Sequence, residues 1–141
     1  MRDRRKLGSR GASLVEFALL APLLIILLFG IIEFAWLFAQ NLNVRHGARE
    51  GARLAAVNFD PLVSETCSRM DLISGATVGL AGTDIDGNGL DVGDEVAVTV
   101  TSPVNPFTGL FSPWMPASLT STVAIRIEQT PSWSGGTTAC P

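Results

Sequence analysis

The chain has 141 residues, 47% of them hydrophobic and 16% charged, with two cysteines and a single histidine. Its charge is segregated: residues 1–11 carry +4, residues 12–57 balance to zero, and residues 58–141 carry −7. A C-terminal part this acidic has no electrostatic hold on phosphate, which excludes nucleic acid as a partner, and about 80 residues beyond Val57 suffice for one small domain.

The first eleven residues hold Arg2, Arg4, Arg5, Lys6 and Arg10 against one acid, Asp3, and show no apolar periodicity. They read as a basic leader, disordered or at a lipid surface, on the cytoplasmic side by the positive-inside rule. Phe17 to Ala39 is then apolar except for Gly30 and Glu33. As a helix these residues span about 34 Å, enough to cross the hydrocarbon core of a bilayer. The run is too long for an ordinary secretory signal, and no small-residue cleavage site follows it. Pro22 removes one backbone donor and is expected to bend the helix locally. Helical spacing continues from Gln40 to Val57, with Arg45, Arg49 and Arg53 in one charged stripe and Glu50 in reach of His46 and Arg53. Gly47 and Gly51 each cost a helix about 1 kcal/mol relative to alanine. Four residues apart, they make a smooth face suited to close approach of a partner.

Asp60-Pro61 predicts a second helix, with Asp60 as N-cap, Pro61 in the first helical position, apolar positions from Leu62 to Ile73, and a stop at Gly75. From Thr77 the period changes to two. Thr77–Leu80 reads as a short strand. Glu95–Thr101 reads as a strand with Val96, Val98 and Val100 on its inner face, and Leu119–Glu128 as another with Val123, Ile125 and Ile127 inward. Between them, Ser102–Ser118 holds four prolines with Phe107, Phe111 and Trp114. It is expected to be a long loop, its aromatics tucked against the rod or the second helix. Thr130–Pro141 reads as a tail.

Four features carry chemistry. Gly11, then four residues, then Glu16 and Phe17, sets a carboxylate one turn inside an apolar helix. Either cleavage after Gly11 frees the amine of Ala12 for Glu16 of a neighbouring subunit to neutralise, or Glu16 sits at headgroup level on an uncut helix and complements its N-terminus. Glu33, the second such acid, either snorkels to the outer interface or bonds a neighbouring subunit. Glu16, Glu33, Gly47 and Gly51 are therefore the candidate helix-association residues. Asp84-Ile85-Asp86-Gly87-Asn88-Gly89-Leu90-Asp91-Val92-Gly93-Asp94-Glu95 fits the calcium-loop pattern, with Asp84, Asp86, Asn88, the Leu90 carbonyl and Glu95 as ligands. A strand follows it rather than a helix, and such Gly/Asp/Asn-rich segments also arise simply as turns. Cys67 and Cys140 form a disulfide if the acidic part lies outside the cytoplasm, or remain two buried thiols. No histidine, serine or cysteine sits in a context that activates it for catalysis, so the chain is expected not to be an enzyme and to need no cofactor beyond the calcium considered above.

Three segments taken in order, Gly11–Phe17, the run ending Phe29-Gly30-Ile31-Ile32-Glu33-Phe34, and Ala48-Arg49-Glu50-Gly51-Ala52-Arg53, resemble the TadE-like pseudopilins of tight-adherence (Flp) pilus systems over about residues 8–57. The resemblance implies cleavage by a prepilin peptidase between Gly11 and Ala12, with Glu16 fifth in the mature chain. It also implies a minor-pseudopilin role in assembling or secreting the pilus, with other pilins and the assembly machinery as partners. The expected fold is α+β: a leader (1–11), one long transmembrane and juxtamembrane helix (12–57), and a small extracytoplasmic head (58–141) with a short helix and an antiparallel sheet. The expected location is the cytoplasmic membrane, crossed once with the N-terminus inside, and in the pilus if the chain enters the fibre. The alternative is an unprocessed, membrane-anchored binding module with a calcium-stabilised head.

Overall fold

A computed structural model describes residues 10–141; the leader up to Ser9 lies outside them. The element order is helix α1 (Arg10–Ala56), helix α2 (Leu62–Ser68), strands β1 (Thr77–Thr83) and β2 (Glu95–Pro103), a 3-10 turn (Ser112–Trp114), and strands β3 (Ser118–Arg126) and β4 (Gly136–Ala139). The four strands form one antiparallel sheet in the order β3-β2-β1-β4. The fold is α+β, as the change of period at Thr77 predicts.

α1 runs unbroken through Pro22 and falls into two halves. From Leu14 to Ile32 its large apolar side chains are exposed all round, as a lipid-facing surface must be. From Gln40 onward one stripe is buried: Val44, Ala48, Ala52, Ala55 and Ala56 pack on the inner face of the sheet. β2 is the central strand, and its alternation is complete, with Val96, Val98 and Val100 each 0% exposed. β3 keeps the pattern less strictly because it is an edge: Leu119 is buried, but Ile125 is 37% exposed and Val123 only half-buried, and the buried Ile127 comes just after the strand ends. The C-terminal carbonyls of α1 are closed by the head. Asn58 takes a positive φ of 52°, the left-handed cap geometry. The amides of Glu128 and Gln129 donate to the Ala56 carbonyl at 2.8 and 3.1 Å, and Trp133 Nε1 donates to the Ala55 carbonyl at 3.0 Å.

Two local readings need correction. α2 stops at Ser68 instead of continuing to Gly75, and Asp60 does not cap it; Pro61 precedes the first turn without a side-chain bond. The chain leaves the helix because Met70 turns inward to cover Gly47, while Arg69 and Met70 close the end on the carbonyls of Thr66 and Cys67. The tail also contains a strand that was not expected: Gly136–Ala139 pairs with β1 as the fourth strand. Those four residues, Gly-Thr-Thr-Ala, are small and all exposed, so no alternation marks them.

Candidate functional site

Gly11, Ala12, Glu16 and Phe17 all lie exposed on the first two turns of α1. The bond between Gly11 and Ala12 is thus inside the helix, and a Cβ built on Gly11 meets nothing within 4 Å. These two turns lie in the exposed, apolar half of α1, with Leu14, Val15 and Phe17 each more than half exposed.

Glu33 is placed differently from the expectation. It is fully buried, and its hydrogen-bond partners come from the proline-rich loop of its own head. The Thr108 amide donates to Glu33 Oε2 at 2.9 Å, the Thr108 hydroxyl donates to the same oxygen, and the Gly109 amide reaches Oε1 at 3.4 Å. A carboxylate surrounded by hydrogen-bond donors can sit at membrane depth; an unpaired one is costly there. One turn on, Trp36 Nε1 donates to the Asn105 carbonyl at 2.9 Å. Gln40 brackets Asn105 from both sides: its Nε2 donates to the carbonyl at 2.9 Å and its Oε1 accepts from the amide at 3.0 Å. Glu33, Trp36 and Gln40 stand at i, i+3 and i+7, on one helix face. Phe111 then closes on Phe34, and Phe107 on Trp36, with ring centroids 6.3 and 6.1 Å apart. Sequence reading missed this collar as a unit. Its signal was there, in three hydrogen-bonding side chains at helical spacing in an otherwise apolar stretch.

Gly47 and Gly51 are both covered by side chains of their own chain. A Cβ on Gly47 would lie 2.3 Å from Met70 Sδ, and one on Gly51 3.0–3.1 Å from Thr66 and Val98 side chains. Both glycines let α2 and β2 approach the helix backbone. The arginine stripe stays on the outside, with Arg53 paired to Glu50 at 2.7 Å and Arg45 and Arg49 exposed.

Residues 11–53 match the family of TadE-like proteins. This helix is TadE-like. No curated protein and no solved structure matches the chain. The TadE-like segment contains the N-terminal signature, the collar face and both packing glycines, and it ends one turn before α1 does. The head lies beyond the matched residues.

In that head, Asp84, Asp86 and Asp94 each bring a carboxylate oxygen within 4.8 Å of the others. Asp84 accepts from the amides of Gly87 and Gly89 at 2.6 and 2.9 Å, and Asp94, itself buried, accepts from those of Ile85 and Asp91 at 2.8 and 2.9 Å. The bonds from Gly89 and then Gly87 hold the Asp84 carboxyl below its usual range. Asp91 is pushed up by desolvation first, then by the charges of Asp86, Asp94 and Asp84. The expected ligand set changes accordingly. Glu95 has entered β2 opposite Arg126, and Asp94 takes its place in the cluster. Leu90 packs over Gly82, and Asn88 donates to Asp86. Three carboxylates could hold a hard divalent cation, though calcium takes six to eight oxygens, so backbone or water would have to supply the others. Near the opposite end of β1, Cys67 and Cys140 are joined in a disulfide that ties α2 to the end of β4.

Proposed function

We propose that this chain is a minor pseudopilin of a tight-adherence (Flp) pilus. It crosses the cytoplasmic membrane once with its N-terminus inside, is cut by a prepilin peptidase after Gly11, and acts in pilus assembly or secretion through its helix, not as an enzyme. The observation that carries the reading is the TadE-like helix itself, with Gly11 and Glu16 exposed on a segment that the head leaves free. In this mechanism Glu16 neutralises the new α-amine of Ala12 on an adjacent subunit. A partly desolvated ion pair costs several kcal/mol when one member is lost, against under about 1 kcal/mol for an exposed one.

The test compares wild type and Glu16→Ala in the native host. Intact mass should show loss of residues 1–11 from both, leaving a wild-type chain of net charge −7, while co-purification with other pilus components falls only in the variant. Retention of the leader in an active system overturns the processing. Normal assembly of a cleaved Glu16→Ala overturns the inter-subunit pairing.

The convergence of Asp84, Asp86 and Asp94 favours a second reading for the head alone. There a bound calcium ion stabilises a module that recognises an envelope component, whether or not the leader is cut.

A further inference from the structure

We propose that the loop 104–116 is a second membrane contact, lying in the interfacial layer beside α1 with Phe107, Leu110 and Trp114 in the lipid. The inference rests on the reading that α1 spans the bilayer.

The depth follows from the helix. Counted from Phe17 at 1.5 Å per residue, a hydrocarbon core of about 30 Å ends near Trp36. The loop docks at and below that level. Phe111 lies over Gly30, where a Cβ would come within 3.4 Å of its ring, and Glu33 and Trp36 hold Thr108 and Asn105. The loop therefore reaches about 9 Å into the apolar layer by the same rise per residue.

Its surface suits that place. Phe107 is 63% exposed, Leu110 52% and Trp114 74%, a poor arrangement in water and a good one where an aromatic ring meets headgroups. No charged side chain occurs anywhere from Val96 to Ile125. At the same helix level, Phe34, Leu37, Phe38, Pro116 and Leu119, with Asn41, line a mostly apolar groove of about 470 Å³.

Its backbone suits it too. Irregular chain survives at membrane depth only when its polar groups are satisfied within the protein. The amides of Asn105, Thr108 and Gly109 bond Gln40 and Glu33, and Leu110 donates to the Thr108 hydroxyl. Ser112, Trp114 and Met115 donate to loop carbonyls. Pro106, Pro113 and Pro116 have no amide to satisfy. Glu33 thus serves as an acceptor for a loop that enters lipid, which accounts for a carboxylate in the middle of an apolar run.

The full chain is reconstituted in phosphatidylcholine vesicles, and flotation after an alkaline wash checks the span. Tryptophan emission is then recorded with lipid brominated near the headgroup end of its acyl chains and with aqueous iodide, for wild type and Trp114→Phe. The expected result is that wild-type emission loses intensity to brominated lipid, that this loss is smaller in Trp114→Phe, and that Trp114 is shielded from iodide. Trp114 emission open to iodide in a floating protein places the loop in water and overturns the proposal, leaving the span intact. Emission shielded from both quenchers shows a protein surface over the loop and overturns it as well. Failure to float overturns the span and the loop together.

Discussion

Gly51 shows how a single absent side chain sets the distance between α1 and the head. Thr66 and Val98, both fully buried and β-branched, leave no room at 3.0–3.1 Å for a Cβ to be accommodated cheaply. Gly51→Leu should destabilise the head by about 1–3 kcal/mol through overpacking, less up to about 1 kcal/mol recovered from helix propensity. Gly47→Ala should be milder, because the displaced atoms belong to a flexible thioether. Denaturant unfolding of the full chain in detergent checks both. The acidic loop gives two residues of opposite sign. Asp84, its pKa lowered, contributes stability that is present above its unfolded pKa and lost as pH falls through the folded value. Asp91, its pKa raised, contributes stability that is present below its unfolded pKa and lost as pH rises through the folded value. At neutral pH, Asp84→Asn should therefore melt below wild type and Asp91→Asn above it, both differences vanishing in acid. If the cluster binds calcium, adding the ion should raise the wild-type melting temperature and shrink the advantage of Asp91→Asn. Melts that ignore calcium remove the cation reading.

Among the elements, β4 depends most on a covalent tie. It has four residues, all exposed, paired only to the edge of β1. The Cys67–Cys140 bridge spans a sequence separation of 73 and anchors the strand's end to α2, helped by the Cys140 amide on the Ala76 carbonyl at 2.8 Å. Closing a loop of that length is worth about 4 kcal/mol in the chain-entropy account. Reduction should lower head stability by about that amount, and hydrogen exchange should speed up first at Thr137–Ala139, ahead of β2. Unchanged exchange in β4 after reduction would show that the strand holds by its ladder alone.

At the scale of the whole molecule, helix and head form one body from about Gly30 outward. The helix face Glu33-Trp36-Gln40 receives a loop, and the stripe from Val44 to Ala56 receives a sheet. The N-terminal half, where Glu16 lies, is exposed all round, whereas beyond it α1 keeps only the face with Phe38, Leu42, Arg45 and Arg49 exposed. Much of this was written in the sequence. An unbroken apolar run, a period of 3.6 giving way to a period of 2, and the clean alternation of Val96, Val98 and Val100 come from local backbone geometry and solvent preference, which act on neighbours in the chain. These determined the long helix, the central strand, the α+β class and the TadE-like segment. The tertiary structure decided the partners. Glu33 and the two glycines look alike from sequence whether they face a second subunit or their own head, because a hydrogen bond and a close approach specify what is met and not which chain supplies it. β4 and the early end of α2 were likewise invisible. Their residues have no pattern of their own, and they take their shape from a neighbouring strand edge, a disulfide and the space above Gly47.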